Sequence, residues 1–303
     1  HVITGLGQGG AEAMLAKLIE ALPAVRHVVV PLGRDLTLGT RIAASGARVV
    51  PLGMRGPLGL PAAVARLAVR IRRERPDVLQ SWLYHADLAA TLARAAAASR
   101  APLTWSLRCS DMDLGHYAPS MRLVVRALAR LSGVPAVIAS NSEAGLAWHR
   151  RLGYRPRRTI VIPNGFDTNR FRPDLDARAR LLAHAGWPED AVIVGLVARV
   201  DPMKDHAGFL EALARTPPAL RAVLVGRGTE GLAIPPALAG RVVALGPRED
   251  IAALTAGFDI ACLASRFGEG FPNVLGEAMA CGVACLTTDV GDAAAIVDAA
   301  GVV

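Results

Sequence analysis

The stretch SRFGEGFPNVLGEAMACGVACLTTD, residues 265–289, follows an apolar run at residues 260–263 and sets two carboxylates, Glu269 and Glu277, around a glycine-rich turn. The run reads as a buried parallel strand, SRFGEGFP as the loop at its carboxyl end, and residues 273–280 as the helix that follows. In open α/β sheets ligands sit at that edge. Pro272 and Asn273 suit a helix start, and the first amides, at Val274 and Leu275, are expected to be free to hold a phosphate. Gly270 and Phe271 complete the turn between the carboxylates. Glu277 falls about one helical turn in, on the side that faces back toward the loop.

Carboxylates beside a phosphate site are electrostatically wrong for a bare anion. They suit a sugar nucleotide, whose ribose and hexose offer hydroxyl groups to carboxylate acceptors through charge-assisted hydrogen bonds. An ordinary loop and helix with solvated glutamates is the simpler alternative, and the glycines and Pro272 packed between the two acids argue against it.

The form EGFPNVLGEAMACG, with seven residues between the two glutamates and TTDVGD downstream, resembles the donor-site signature of the family 4 retaining glycosyltransferases of GT-B fold. Three further segments resemble that family in the same order: GLGQGGAE (residues 5–12), its N-terminal glycine loop; VIPNGFDTNRFRP (residues 161–173), its interdomain passage; and GLVARVDPMKD (residues 195–205), its basic diphosphate loop. The resemblance implies two Rossmann-like, doubly wound domains facing across a cleft, with residues 1–165 on the acceptor side and residues 166–303 binding the nucleotide sugar. It implies donor contacts from Gly9, Gly10, Gly270, Phe271, Asn273, Val274, Leu275 and Glu277. Catalytic roles fall to Arg199, Lys204, Glu269 and, in SWLYHADL (residues 81–88), His85. The activity implied is transfer of a hexosyl group, with retention, from a nucleotide sugar such as UDP- or GDP-hexose to a lipid-linked or saccharide acceptor in polysaccharide or glycolipid biosynthesis. No cofactor and no metal are expected. The competing readings are a sugar phosphate synthase or nucleotide-sugar epimerase on the same fold, and a binding subunit without activity. The sequence begins at His1 in what reads as the end of a first strand and stops at AAGVV, before the helices that complete this fold, so both ends are expected to be truncated.

The residues support this independently of the resemblance. With 303 residues, 52% hydrophobic and 20% charged, the chain can fill two cores. Apolar runs at residues 28–31, 48–51, 77–80, 103–106, 136–139 and 159–162 alternate with helical stretches. A second series runs through residues 192–197, 222–225, 242–245, 259–263 and 284–287, and residues 163–188, rich in Pro, Asp and Arg, read as the linker between them. Gly5, Gly7, Gly9 and Gly10 precede a helical pattern over residues 11–22. They also match a GxGxxG dinucleotide loop, but no acid closes the next strand, where Val30, Pro31, Leu32 and Gly33 precede Arg34. Lys204 is one of two lysines beside 32 arginines, and a compact ammonium reaches a diphosphate oxygen where a planar guanidinium does not fit. Arg199 adds a forked cation.

Charge divides unevenly. Residues 1–165 carry 22 Lys plus Arg against 9 Asp plus Glu, net +13, whereas residues 166–303 carry 12 against 17, net −5. Arginines gather in residues 66–76, 122–130 and 149–158. The first of these reads as an amphipathic helix with a cationic face, which suits an anionic membrane surface and an enzyme that works peripherally on the cytoplasmic side; a merely solvated arginine face is the alternative. Aromatics at 4% and the lack of any nucleic-acid motif exclude nucleic acid as partner. No run of 18 uncharged apolar residues predicts a membrane-spanning helix. Cys109, Cys262, Cys281 and Cys285 form no CxxC pair and read as reduced core residues.

Overall fold

The computed structural model of the chain describes residues 1–7, 9–112, 115 and 118–303. It divides into two compact units, His1–Asn164 and Gly165–Val303. The first is built from β1 (Val2–Ile3), α1 (Gly10–Ala21), β2 (Val28–Pro31), α2 (Gly39–Ala44), β3 (Arg48–Val49), α3 (Leu60–Glu74), β4 (Leu79–Trp82), α4 (Tyr84–Ala96), β5 (Leu103–Leu107), α5 (Pro119–Leu131), β6 (Val137–Ser140), α6 (Glu143–Arg151) and β7 (Thr159–Val161). The second contains α7 (Ala177–Ala185), β8 (Val192–Val197), α8 (His206–Ala214), β9 (Leu220–Val225), β10 (Val242–Ala244), α9 (Ile251–Thr255), β11 (Ile260–Leu263), α10 (Asn273–Ala280), β12 (Ala284–Thr287), α11 (Ala293–Val297) and β13 (Gly301–Val302).

Each unit holds one sheet with every neighbouring pair parallel. The orders are β3-β2-β1-β4-β5-β6-β7 and β10-β9-β8-β11-β12-β13. Parallel strands need covered faces, which is why they are apolar along their length instead of alternating with polar residues. In β8 and β9 the pleat sends Val194, Leu196, Ala222 and Leu224 to the face under α8, and Ile193, Val223 and Val225 to the face under α7, α10 and α11. In the first sheet α1 and α2 cover one face through Leu15, Ile19 and Ile42; α3, α4 and α5 cover the other through Leu67, Ile71, Ala89 and Leu128. Strand order reverses between β1 and β4 and again between β8 and β11, so the chain leaves those strands in opposite directions and opens a crevice at their carboxyl ends.

Three expectations shift. The strand expected at residues 77–80 runs Leu79–Trp82: Val78 is exposed, and the pairing begins where the Leu79 amide donates to Pro102 O. Ser81 fell beyond the expected strand, yet it is buried in β4 because its hydroxyl finds the Asp87 carboxyl at 2.6 Å. The stretch expected as a linker, residues 163–188, belongs almost wholly to the second unit, since Phe171, Leu181, Leu182 and Trp187 join its core. In the arginine-rich helix α3, Ala63, Leu67, Ala68 and Ile71 face the core, and Glu74 draws in Arg70 (3.3 Å), Arg26 (3.5 Å) and Arg48, which uses up part of its cationic face.

Two buried titratable groups oppose each other in the first unit. Burial drives the Asp87 carboxyl well above the usual carboxylate range, which favours stability at low pH. His149 of α6 donates from Nδ1 to Gly145 O (2.7 Å) and accepts from the Tyr84 hydroxyl at Nε2 (3.0 Å), and burial pushes it down to about 4. A depressed imidazole supports the fold fully above 6.5, its unfolded value, and that support is lost as pH falls through 4. Its share is about 3 kcal/mol. Urea titrations of wild type and His149→Gln between pH 7 and pH 4 are expected to differ in slope, with the wild type losing about that much more; parallel curves would remove His149 from the acid response.

Candidate functional site

The loops that follow β8 and β11 carry the second unit's site, on the two sides of its switch point. After β8 the chain crosses Gly226, at φ +142°, where an added Cβ would meet Ala198 O at 2.2 Å. Arg199 follows and bonds Asp201 through Nη2 (2.9 Å) and Nε (3.2 Å). Asp201 precedes Pro202, and its other oxygen accepts from the Met203 amide at 3.0 Å, so it starts a single 3-10 turn that presents Lys204. Asp205, at φ +47°, then caps α8 by accepting from Gly208 N at 3.1 Å.

Lys204 Nζ bonds Glu269 Oε1, whose second donor is the Ser265 hydroxyl at 2.7 Å. The lysine and glutamate side chains are 15% and 10% exposed, so the pair is partly desolvated. A backbone bond from Arg266 N to Met203 O (2.8 Å) fastens the two loops. From below, Gly291 at φ +58° lies against the carbonyls of Glu269 and Gly270, 2.4 and 2.6 Å from where its Cβ would be, and Asp292 N donates to Gly270 O at 2.9 Å. The TTDVGD run thus supports the EGFP turn. The sequence assigned Lys204 to a diphosphate and Glu269 to a sugar; the fold brings them together as one ion pair.

Helix α10 begins at Asn273 behind Pro272, as read from the sequence. Pro272 supplies no side-chain cap, and the Leu275 amide closes the first turn on Pro272 O at 3.3 Å. Leu275 is buried in the core, and only its backbone can serve a ligand. Glu277 is half-buried and borders a narrow recess with Gly195, Phe258, Val274 and Leu275. Phe271 stacks on Phe166, ring centroids 6.2 Å apart, and Phe166 in turn crosses α10 at Gly276, where a Cβ would fall 2.2 Å from its ring.

In the first unit the glycine loop and His85 flank the β1/β4 switch point. The Leu6 amide donates to Asp35 O and Leu6 O accepts from Leu38 N, each at 2.8 Å, so the loop leans on the chain that leaves β2. Asp35 Oδ2 would stand 2.7 Å from a Cβ on Gly7, and Glu12 Oε2 2.3 Å from one on Gly9. Gly10 is the first residue of α1; Gln8 lies outside the described residues. This loop therefore meets carboxylates and is suited to hydroxyl groups more than to phosphate. His85 lies in the first turn of α4, half-buried, and burial lowers its pKa, which keeps it neutral at pH 7. It follows Leu83, which at φ 74°, ψ 155° occupies backbone space nearly reserved for glycine, a cost of about 1–3 kcal/mol that concentrates at functional sites.

Sequence reasoning missed Asp35, Asp201 and Ser265. Asp201 was legible as the acid of an Asp-Pro helix start; Asp35 and Ser265 touch the candidate residues only through the fold. Among the described residues no group of three or more His, Cys, Asp and Glu is placed to hold a metal ion.

The family description "Glycosyltransferase Family 4" matches residues 8–170, and "Glycosyl transferases group 1" matches residues 191–303. The putative glycosyltransferase EpsF of Bacillus subtilis is 28% identical over 311 residues, covering 95% of this chain and 78% of EpsF. A D-inositol 3-phosphate glycosyltransferase of Mycobacterium tuberculosis is 34% identical over 150 residues, which is 46% of this chain and 31% of that protein. Anabaena HepE, solved in complex with UDP and glucose, superposes with a TM-score of 0.82 at 25% identity over 96% of this chain and 81% of its own. WaaG, a glycosyltransferase involved in lipopolysaccharide biosynthesis, shares the fold at a TM-score of 0.72 and 16% identity, over 100% of this chain and 86% of WaaG. Two parallel sheets with these neighbours make the fold GT-B, and the chain belongs to glycosyltransferase family 4.

Proposed function

We propose that this chain is a retaining, metal-independent hexosyltransferase that takes its sugar from a UDP-sugar. The observation that carries the reading is the pair of loops at the β8/β11 switch point, where Arg199 is held by Asp201 and Lys204 by Glu269, the residue on the turn that leads into α10. The UDP and glucose bound by HepE favour uridine as the base. Residues 166–303 act as the donor domain and residues 1–165 as the acceptor domain. Glu277 holds the ribose hydroxyls and Glu269 the hexose hydroxyls. Arg199 and Lys204 hold the diphosphate and stabilise the charge on the departing nucleotide, the task a metal performs in other transferases. Both cations already bond carboxylates, so diphosphate binding is an exchange: Lys204 turns from Glu269 to phosphate, and Glu269 is released to the sugar. The start of α10 receives the same phosphates, and Gly270 and Phe271 shape the turn around the sugar; in the first unit Gly9, Gly10 and His85 are suited to sugar hydroxyls.

Retention by double displacement needs a carboxylate nucleophile on the opposite face of the sugar. Asp87 is close to His85 in sequence but fully buried and bonded to Ser81, which keeps it from a substrate. The reading is therefore same-face transfer, with the leaving phosphate taking the acceptor proton. Helix α5 favours a lipid-linked acceptor and a peripheral cytoplasmic enzyme of polysaccharide or glycolipid assembly: its exposed side holds Arg122, Leu123, Arg126 and Arg130, with Leu123 70% exposed. No helix of the described residues is long and apolar enough to cross a membrane.

A thermal-shift panel of UDP, GDP and ADP tests the donor site. UDP at 100 times its dissociation constant is expected to stabilise the protein by about 2.7 kcal/mol, with EDTA without effect and the shift abolished by Glu277→Ala. A cooperative melt indifferent to all three nucleotides would sink the donor assignment. Product anomers read by NMR should match the donor's configuration, and inversion, or a trapped glycosyl-enzyme, would refute same-face transfer. Lys204→Met should cost about 3 kcal/mol in urea unfolding, because it strands Glu269 in a desolvated site. Arg199→Met, whose pair is 39% and 27% exposed, should cost less than about 1 kcal/mol; equal costs would mean that the Lys204 pair is not desolvated. Vesicles of anionic lipid should sediment the wild type, and Leu123→Glu should reduce this; equal sedimentation would remove α5 from the membrane contact.

A further inference from the structure

Three strands of the first sheet are each followed by a buried polar atom that has no partner among the described residues: Thr4 Oγ1 one residue past β1, Arg108 Nε one past β5, and Asn141 Oδ1 one past β6. All three lie at the carboxyl edge, where parallel sheets bind ligands. Leu107 pairs with Ser140 in the β5–β6 register, so Arg108 and Asn141 are the next rung of adjacent strands. Arg108 is held from two sides. Its guanidinium lies over the Trp82 ring, 4.4 Å from the centroid, and Nη1 donates to Asn164 Oδ1 at 2.9 Å. Trp82 is 1% and Asn164 8% exposed, so the socket is rigid and neutral.

No ion pair joins Arg108 to a carboxylate among the described residues, in a chain where Arg199, Arg178, Arg180 and Arg248 each have one. Burial without a compensating anion pushes its guanidinium down to about 10. A packing role alone would be served by an uncharged side chain of the same volume at lower desolvation cost. A planar fork held flat by an aromatic ring and an amide, with Nε and Nη2 unused, matches an oxyanion that offers two oxygens.

We propose that Arg108 binds an oxyanion of the acceptor, a phosphate or a carboxylate, so that this enzyme glycosylates an anionic substrate, with Asn141 and Thr4 accepting from neighbouring hydroxyls. This rests on the acceptor-domain assignment above. It adds a substrate class that neither the glycine loop nor the motifs of the second unit specify.

Isothermal titration of inorganic phosphate, glucose 6-phosphate, glucuronate and glucose against wild type, Arg108→Gln and Arg108→Lys separates the outcomes, with UDP titrated into each protein in parallel. At least one of the three oxyanions is expected to bind, and glucose not. Arg108→Gln should weaken that binding about tenfold or more, as expected for loss of one charged hydrogen-bonding group. Arg108→Lys keeps the charge but not the fork and should fall between; it stands in if the glutamine variant does not fold. Preference for phosphates over glucuronate, or the reverse, identifies the oxyanion. Unchanged oxyanion affinity in either folded variant, or no oxyanion binding by wild type that does bind UDP, overturns the proposal. Arg108-dependent oxyanion binding by a protein that ignores UDP would instead retain this site and reject the donor reading.

Discussion

The reversal of strand order in an all-parallel sheet is the constraint on which the rest depends. Parallel neighbours must be joined by crossovers that cover both faces, so a functional loop has no room except at the carboxyl edge, and the widest opening there lies where successive crossovers diverge. In this chain those openings fall between β1 and β4 and between β8 and β11. The glycine loop and His85 flank the first; the Arg199–Lys204 loop and the Glu269 turn flank the second. Residues 65 positions apart, Lys204 and Glu269, become partners because the two strands that deliver them are neighbours.

Electrostatics distinguishes the two edges. At the second unit's edge Arg199 and Lys204 are each matched by an acid, and each of those acids has a further donor, Ser265 for Glu269 and the Met203 amide for Asp201. Such an arrangement balances a highly charged site without a ligand. In the first unit the glycine loop meets Asp35 and Glu12, while Arg108, on the same edge, rests on an aromatic ring and a neutral amide. The basic balance of residues 1–165 is not simply a solvated face: Glu74 gathers three arginines, and Arg72 and Arg94 close backbone carbonyls.

Where local chemistry dictates structure, the reading from residues was close. Helix α10 begins and ends at Asn273 and Ala280 as expected, because Pro272 can start a helix and Gly282, at φ +76°, can leave one. Strands β2, β8 and β12 have their expected bounds, since continuous apolar runs have one period to follow. Strand β4 was displaced because Ser81 is polar only until Asp87, six residues on, satisfies it. Residues 163–188 looked like a linker because Pro, Asp and Arg dominate them, although four of their apolar side chains are anchored in the second core.

Composition, apolar periodicity and a few helix-start and glycine signals therefore determined the fold class and the run of strands and helices, and picked out the candidate residues of the second unit, because each of these depends on neighbours within about one turn or one strand. Only the tertiary structure decided which charges meet. The Lys204–Glu269 bond, the support of the EGFP turn by Gly291, the contact of Asp35 with the glycine loop, and the placement of Arg108 over Trp82 each join residues on different strands or loops. Their energies depend on burial and on a separation of a few ångströms, and strand order in space, which the linear chain does not display, sets both.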